Sequence, residues 1–549
     1  MLFNSFTFAV FFVFVYSVYW LNKRSYKRQN FILFAASYIF YGWWDARFLL
    51  LLIIATFLDY TGTILIDRNK LSTKQKAKSY AFLMTAVVIF VVGQHIDISS
   101  DFPFISSTIE KNHTIFGWWL IPATLSFLVV FEIIQKCVLL FPKINTAKFY
   151  LIWSVGLNIS LLGIFKYFNF FSENFISLWT WLFGYRPTEI TLYVVLPVGI
   201  SFYIFQTISH IVDVYRKKIP STSSLLELAT YVAFFPQLVA GPIERGANLL
   251  PQFQQLRTVT PDQKKEAMWL IAWGLYKKIV VADNVAQIVN NVFQPYDTLM
   301  ILNSPADGLR CLVAVYAFAV QIYCDFSGYT DIARGTARLL GFKIMLNFNL
   351  PYFAITPADF WRRWHISLSS WLRDYLYIPL GGNRQGTIAT YRNLILTMLL
   401  GGLWHGASWN FVFWGSYHGI LLICYNITGH RGTAKELSTA NILKGLFMFN
   451  LVCLGWLLFR AQNMQTVAIF SEAIVFNFRI SPEAIESLKN LLYYSWFLIG
   501  YQIMQGVSGK LNFVNDLHWF LRLNIWLFII TSIFRLSQGH PQEFIYFAF

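Results

Sequence analysis

Charge is scarce in this sequence. Only 13% of its 549 residues are Asp, Glu, Lys or Arg, about half of the roughly 25% usual in soluble domains. A chain so poorly charged does not read as an ordinary water-soluble enzyme. Acid is scarcer than base, with 27 Asp and Glu against 43 Lys and Arg and a formal net charge of +16. That surplus would suit a nucleic-acid ligand if it formed a patch or tail. Instead the cations fall in short loops between apolar runs, where they set membrane topology, so no nucleic-acid partner is expected. Cysteine is also rare: Cys137, Cys311, Cys324, Cys424 and Cys453 are scattered without CxxC spacing. They form no recognisable disulfide framework or metal set and read as small buried hydrophobes. No GxSxG elbow, Walker A loop, HExxH or GxGxxG with a ribose-binding acid occurs in a suitable setting.

What the sequence has in abundance is apolar length. It is 56% hydrophobic and 19% aromatic, and its apolar runs are continuous, repeatedly reaching the ~20 residues a helix needs to cross a bilayer. Alternating β-barrel strands are excluded by that continuity. The expected fold is an all-α polytopic membrane protein with roughly 11 to 14 spanning helices, plus re-entrant and interfacial helices around a central channel. No internal repeat and no soluble domain is visible, so residues 1–549 read as one membrane domain, with a motif-bearing core over about 190–460 and less distinctive helices over 461–549.

Orientation follows from the loop charges. The apolar run 1–21 has no basic residue before it and Lys23, Arg24, Lys27 and Arg28 after it, the reverse of a cleavable signal peptide. It reads as a retained first span with its N-terminus outside. Runs 31–44 and 48–66 then lead back to Arg68, Lys70, Lys74, Lys76 and Lys78 inside, and 79–94 leads out to Asp97, Asp101 and Glu110. Residues 116–141 return to Lys143 and Lys148, 149–171 lead out to Glu173 and Glu189, and 191–214 come back to Arg216, Lys217 and Lys218. Each crossing obeys the positive-inside rule. Beyond residue 218, AFFPQLVAGPIER (233–245) is apolar but broken by Pro236, Gly241 and Pro242, which predicts a re-entrant or interfacial element. Further spans are expected near 267–292, 308–327, 391–426 (as two), 442–459, 491–507 and 519–535.

The most informative polar stretch is TPADFWRRWHISLSSWLRDYLYIPLGGNR, from Thr356 to Arg384. Thr356 as cap, Pro357 at the first helical position and Asp359 as capping-box partner predict a helix start. Trp361, Trp364, His365, Leu368, Trp371, Leu372 and Tyr375 then recur at helical spacing on one face, with Arg362, Arg363, Ser370, Arg373 and Asp374 largely on the other. Such a basic, tryptophan-rich amphipathic helix is expected to lie along the membrane interface, ending at Gly381 and Gly382. Of the nine histidines, His95, His113, His430, His518 and His540 lie in polar, flanking or loop stretches. His210 and His418 sit in apolar surroundings and read as structural. His365 and His405 differ, because each is set in a dense motif of tryptophan, glycine and polar residues, and ionisable groups at membrane depth are costly and often functional.

A metal site built from His365, His405 and Asp374 lacks any closely spaced ligand pair, so no metal is expected. What remains is a histidine without an obvious protein nucleophile. That pattern suits direct group transfer, in which a neutral imidazole takes the proton of an incoming hydroxyl as it attacks an activated acyl group.

Four blocks carry a resemblance: FFPQLVAGPIER, CDFSGYTDIARGTARLLGF (Cys324 to Phe342), WRRWHISLSSWLRDYLYIPLGGNR and GGLWHGASWNFVFWGSYHG. Together they resemble the membrane-bound O-acyltransferase family, most of all its bacterial branch of alginate O-acetyltransferase membrane subunits. The resemblance implies acyl transfer from a thioester to a hydroxyl, with the family's invariant histidine at His405 and its second histidine at His365. Glycines would let helices pack closely around the base, and Trp364 and Trp404 would help exclude water from the thioester. Lys277, Lys278, Arg362, Arg363 and Arg384 are candidate cations for the donor's phosphates, and Asp374, Asp325 and Ser327 candidate channel residues. Arg334 and Ser416 depart from the expected pattern, which bears on acceptor preference.

The expected function is therefore O-acetylation of an exported polysaccharide such as alginate, from acetyl-CoA in the cytoplasm, by an integral protein of the bacterial inner membrane. No tightly bound cofactor is expected. The partners expected are acyl-CoA, a separate extracytoplasmic acyltransferase and the exopolysaccharide as final acceptor. Alternatives are a family member acting on peptidoglycan, teichoic acid (as D-alanine), a lipid or a protein, or a transporter of glycan precursors.

Overall fold

The computed structural model describes the chain except residues 94–113, 142–144, 189–190, 193–195, 240, 299–305, 430–431, 433–437, 538–541, 543 and 546–549. The expected outer loop with Asp97, Asp101 and Glu110, and also Lys143, Glu189, His95, His113, His430 and His540, lie outside the described residues. Helices make up the secondary structure, with no strand among the described residues. Seven of the helices described are long and apolar enough to cross a membrane, among them Ala46–Arg68, Gly308–Leu339 and Thr439–Arg460. Other expected spans are present as helices: Phe6–Leu21 is apolar throughout but only 16 residues long. Ser5, Ser25, Ser224, Ser438 and Ser481 each cap a helix start through the side-chain oxygen. Large apolar side chains such as Phe6, Phe14, Val129, Leu140, Leu443 and Phe447 stay exposed. Hydrocarbon, not water, is the solvent that suits such faces. The architecture is that of an all-α polytopic membrane protein.

The chain falls into two compact units, residues 1–259 with 340–344 and residues 260–339 with 345–549. In the first, the buried helix Leu49–Arg68 packs against Thr73–Gly93, Thr146–Leu162 and Ile200–Tyr215. A carboxylate in such a place needs a partner. Asp59 finds one in His210, whose Nδ1 lies 2.6 Å from Asp59 Oδ1, with both side chains fully buried. The stretch over 233–245 is irregular, as its prolines and glycine predict: helix Leu225–Ala233 stops, Phe235–Leu238 makes one turn, and a loop follows. Phe234, Phe235, Ile243 and Glu244 are buried. Side chains satisfy the broken backbone, with Ser37 Oγ accepting from Phe235 N at 3.1 Å and the Gln206 and Gln237 amides each donating to the Tyr231 carbonyl at 2.9 Å.

The second unit is organised on the 32-residue helix Gly308–Leu339. Pro261–Leu275 lies close along it because a Cβ on Gly274 would stand 2.6 Å from the Gly328 carbonyl oxygen. The span expected over 267–292 is interrupted by a π-helical stretch, Tyr276–Ala282, which carries Lys277 and Lys278. Residues 391–426 form two helices, Thr387–His405 and Trp409–Ile427. They touch at glycines: a Cβ on Gly402 would meet the Phe411 carbonyl oxygen at 2.1 Å, and one on Gly415 the Met398 carbonyl oxygen at 2.4 Å.

The segment 356–384 corrects the sequence reading. Thr356 does cap the helix, accepting from Asp359 N at 3.2 Å, but Asp359 completes no capping box; its Oδ1 accepts from Arg363 Nε at 2.9 Å. The single amphipathic helix is instead two short ones, Pro357–Arg363 and Ile366–Leu372, followed by a π-helical stretch, Arg373–Tyr377. The break falls at His365, whose backbone is left-handed at φ 41°. Two backbone bonds compete with the helix there. Asn349 N donates to the Arg363 carbonyl and Ile366 N to the Asn347 carbonyl, each at 2.9 Å. Trp364, His365, Leu368, Trp371 and Leu372 are all buried, so this face is core and not an interfacial surface.

Candidate active site

His405 is the last residue of the Thr387–His405 helix and is 5% exposed. Rings hold it on three sides: Trp404 at 4.9 Å, Trp414 at 5.1 Å and Phe459 at 5.2 Å between centroids. The remaining approach is open, for His405 lines a cavity of about 370 Å³ with Trp361, Trp414, Leu368, Leu372 and Met398. Arg362 and Arg373, both exposed, line the same cavity. One apolar space therefore runs between a buried imidazole and two guanidinium groups.

His365 has a different setting. It is fully buried and does not line that cavity. Its Nδ1 lies 3.2 Å from Asn347 Oδ1, which also accepts from Ser367 N at 3.1 Å and Ser367 Oγ at 2.9 Å. The backbone N–H of Ser367 identifies the Asn347 atom as the acceptor, so His365 carries its proton on Nδ1 and presents a lone pair at Nε2. Burial pushes the imidazole down to about 3, so it is neutral near pH 7. The His365 ring meets Phe326 edge-on at 4.7 Å and Trp404 at 5.8 Å. Trp404 thus touches both histidines.

The other candidates separate into those the cavity gathers and those it does not. Trp404 is buried between the imidazoles, and Trp364 is buried against Phe348 at 5.0 Å and Trp456 at 4.8 Å. Lys277 and Lys278, expected at a cytoplasmic mouth, are instead 2% and 1% exposed. Carboxylates on the helix Gly308–Leu339, and Asp283 just after the lysines, explain this. Lys277 Nζ lies 2.7 Å from Asp331 and 3.0 Å from Ser327 Oγ, while Lys278 Nζ lies 2.7 Å from Asp283 and 2.8 Å from Asp325. Lys277 and Ser327 line only a small recess of about 30 Å³ with Asp331 and Arg334. Arg363 is held by Asp359, and Asp374 accepts from Arg373 Nε at 2.8 Å. Arg384 is exposed in a turn and is not among the cavity-lining residues. Ser416 bonds back to the Val412 carbonyl at 2.9 Å, a local helix contact. Among the described residues no three His, Cys, Asp or Glu side chains group as metal ligands would.

One neighbour of the site escaped the sequence reading. Asn347 lies 18 residues before His365, in a loop with no motif of its own. His418, read as structural, is buried in the aromatic cluster: its ring stacks on Phe360 at 6.2 Å and meets Trp361 and Trp414 edge-on at 5.1 and 4.9 Å.

Comparison with known proteins identifies the family. The family model described as MBOAT, membrane-bound O-acyltransferase family, matches residues 136–465. The chain is 36% identical over 466 residues to a probable alginate O-acetylase AlgI of Pseudomonas syringae pv. tomato, covering 85% of this chain and 73% of that protein. It is 45% identical over 336 residues to the protein of the same name from Azotobacter vinelandii, covering 61% and 64%. A peptidoglycan O-acetyltransferase of Helicobacter pylori is 38% identical over 345 residues, covering 58% and 63%. The chain spans less than two thirds of the length of the latter two relatives. Both histidine motifs, the cavity and the aromatic cluster lie inside the matched region, and with that match the chain belongs to the membrane-bound O-acyltransferase family.

Proposed function

We propose that this protein is a membrane O-acyltransferase in which His405 is the general base. The observation that carries the reading is the single cavity shared by buried His405 and the exposed pair Arg362 and Arg373. A thioester whose carrier bears phosphates would place its anionic groups at the guanidiniums, which form strong charge-assisted bonds to phosphate. Its acyl end would lie in the apolar part of the space, beside the imidazole. His405 removes the proton from an acceptor hydroxyl, the oxygen attacks the thioester carbonyl, and the C–S bond breaks. The proton held on the imidazole then passes to the departing thiolate. Trp361, Trp404 and Trp414 keep water from competing with the acceptor.

Acetyl-CoA is the proposed donor and an exported polysaccharide the proposed final acceptor, which matches the acetylase named for the AlgI relatives. His365, enclosed and hydrogen-bonded to Asn347, supports the site through Trp404 and does not itself meet the substrate. The inner membrane is the proposed location, with the N-terminus outside and the donor entering from the cytoplasm, on the strength of the loop charges. A cysteine placed in the 67–78 loop should then be shielded from an impermeant thiol reagent in intact cells; labelling there would invert the orientation. Final transfer to the polymer is assigned to a separate extracytoplasmic acyltransferase.

The test is reconstitution in liposomes with labelled acetyl-CoA inside. Acetyl transfer that needs His405 and the added partner supports both the chemistry and the relay. Polymer acetylation without the partner removes the relay, and movement of a glycan precursor without acetyl transfer would make the protein a transporter. The Helicobacter pylori relative favours one alternative acceptor, peptidoglycan, to be offered in the same assay.

A further inference from the structure

Beyond the family-matched region, which ends at residue 465, Gln542 and Ile545 reach the second unit's buried charges. Lys278 Nζ donates to the Gln542 carbonyl at 2.9 Å, and Asp325 Oδ2 accepts from Ile545 N at 2.7 Å. Between these two bonds Phe544 is fully buried. Its ring lies 4.3 Å from Tyr329 and 5.9 Å, edge-on, from Phe326. Phe326 is the ring that meets His365 at 4.7 Å.

The chemistry of the cluster explains the grip. One ammonium, Lys278, faces two carboxylates, Asp283 and Asp325, in a buried place, which is tolerable only where further hydrogen bonds satisfy them. The segment supplies a carbonyl for the ammonium and an N–H for the carboxylate, and its own backbone groups are satisfied in return. An aromatic side chain delivered this way fills space that water or a rotated Phe326 would otherwise take. This also accounts for Lys278 and Asp325, which the cavity does not use.

We propose that Phe544 is a positioning residue: clamped by Lys278 and Asp325, it backs Phe326 and thereby holds the His365 imidazole in its Asn347 cradle. This rests on the acyltransferase reading for its kinetic consequence, though not for its geometry.

The test uses the full-length protein in membranes. With the partner acyltransferase present, Phe544→Ala should lower kcat for thioester turnover by up to about 10²-fold, the cost of a misplacement on the order of 1 Å, with KM for acetyl-CoA unchanged. Phe544→Leu, which keeps most of the volume, should recover most of the loss, and it replaces the alanine variant if that one fails to accumulate. In a His365→Ala background Phe544→Ala should cost nothing further. A loss that adds fully to that of His365→Ala, or wild-type kcat in a well-folded Phe544→Ala, would overturn the proposal. A second readout needs no catalysis. With the exposed Cys137 and Cys424 replaced by alanine, the thiol of His365→Cys should react with a small permeant maleimide several times faster once Phe544 is cut to alanine. An unchanged rate sinks the proposal even if the wild-type protein proves to have no acyltransferase activity.

Discussion

His365 and His405 are both buried imidazoles in contact with Trp404, yet only His405 lines the cavity. His405 ends a regular helix and lines a cavity. His365 sits in a left-handed break, fully enclosed, with Nδ1 committed to Asn347. The same contrast divides the cations. Lys277 and Lys278 are neutralised inside the unit by Asp331, Asp283 and Asp325, whereas Arg362 and Arg373 stay exposed at the cavity. Lys277 and Lys278 are cancelled in the core, while Arg362 and Arg373, the latter also paired with Asp374, remain at an open cavity.

The contrast is breakable in a definite order. His405→Ala should have the largest effect, a fall in acetyl transfer of about 10² to 10⁴, the usual contribution of a positioned base, with normal membrane accumulation. Turnover near wild type would remove His405 from the chemistry and with it the difference between the histidines. Lys278→Met comes next, as a stability effect. Leaving Asp283 and Asp325 without their cation should cost about 3–5 kcal/mol, read as a drop in Tm of the purified protein. An unchanged Tm would mean the lysine is no structural partner.

His365→Ala and Asn347→Ala should each lower kcat by up to about 10²-fold, the cost of a misplacement on the order of 1 Å, and the double variant should be no worse than His365→Ala alone. Additive losses would show that the two act separately. The smallest effect is expected from Arg362→Gln and Arg373→Gln. Each should raise KM for acetyl-CoA roughly tenfold, the worth of a charge-assisted bond, with kcat little changed and the response weakening as salt is raised. Equal effects with a donor lacking phosphates would detach the arginines from donor binding.

Much of this was legible because it is local. Scarce charge and long apolar runs determine a helical membrane protein, since the bilayer accepts little else. GGLWHGASWN shows a lone imidazole among glycines, and the structure finds those glycines where two helices touch, at Gly402 and beside Phe411. Breaks at 233–245 follow from Pro236, Gly241 and Pro242, and the two-helix reading of 391–426 from length alone.

The errors share one cause. Periodicity placed His365 on a continuous interfacial helix, because a 3.6-residue pattern reports which side chains share a face and not which distant backbone competes for their hydrogen bonds. Asn347 and Asn349 decide that, by drawing off Ile366 and Arg363. Lys277 and Lys278 looked like mouth cations because the carboxylates that neutralise them include Asp325 and Asp331, some 50 residues further along the chain. Phe544 carried no signal at all. By itself the sequence determined the solvent of this protein, its helices and the histidine at the centre of its motif, since each depends on neighbours within a few turns. Which polar groups face a cavity and which are cancelled in the core was decided only by the tertiary structure, because that choice depends on residues brought together from far apart in the chain.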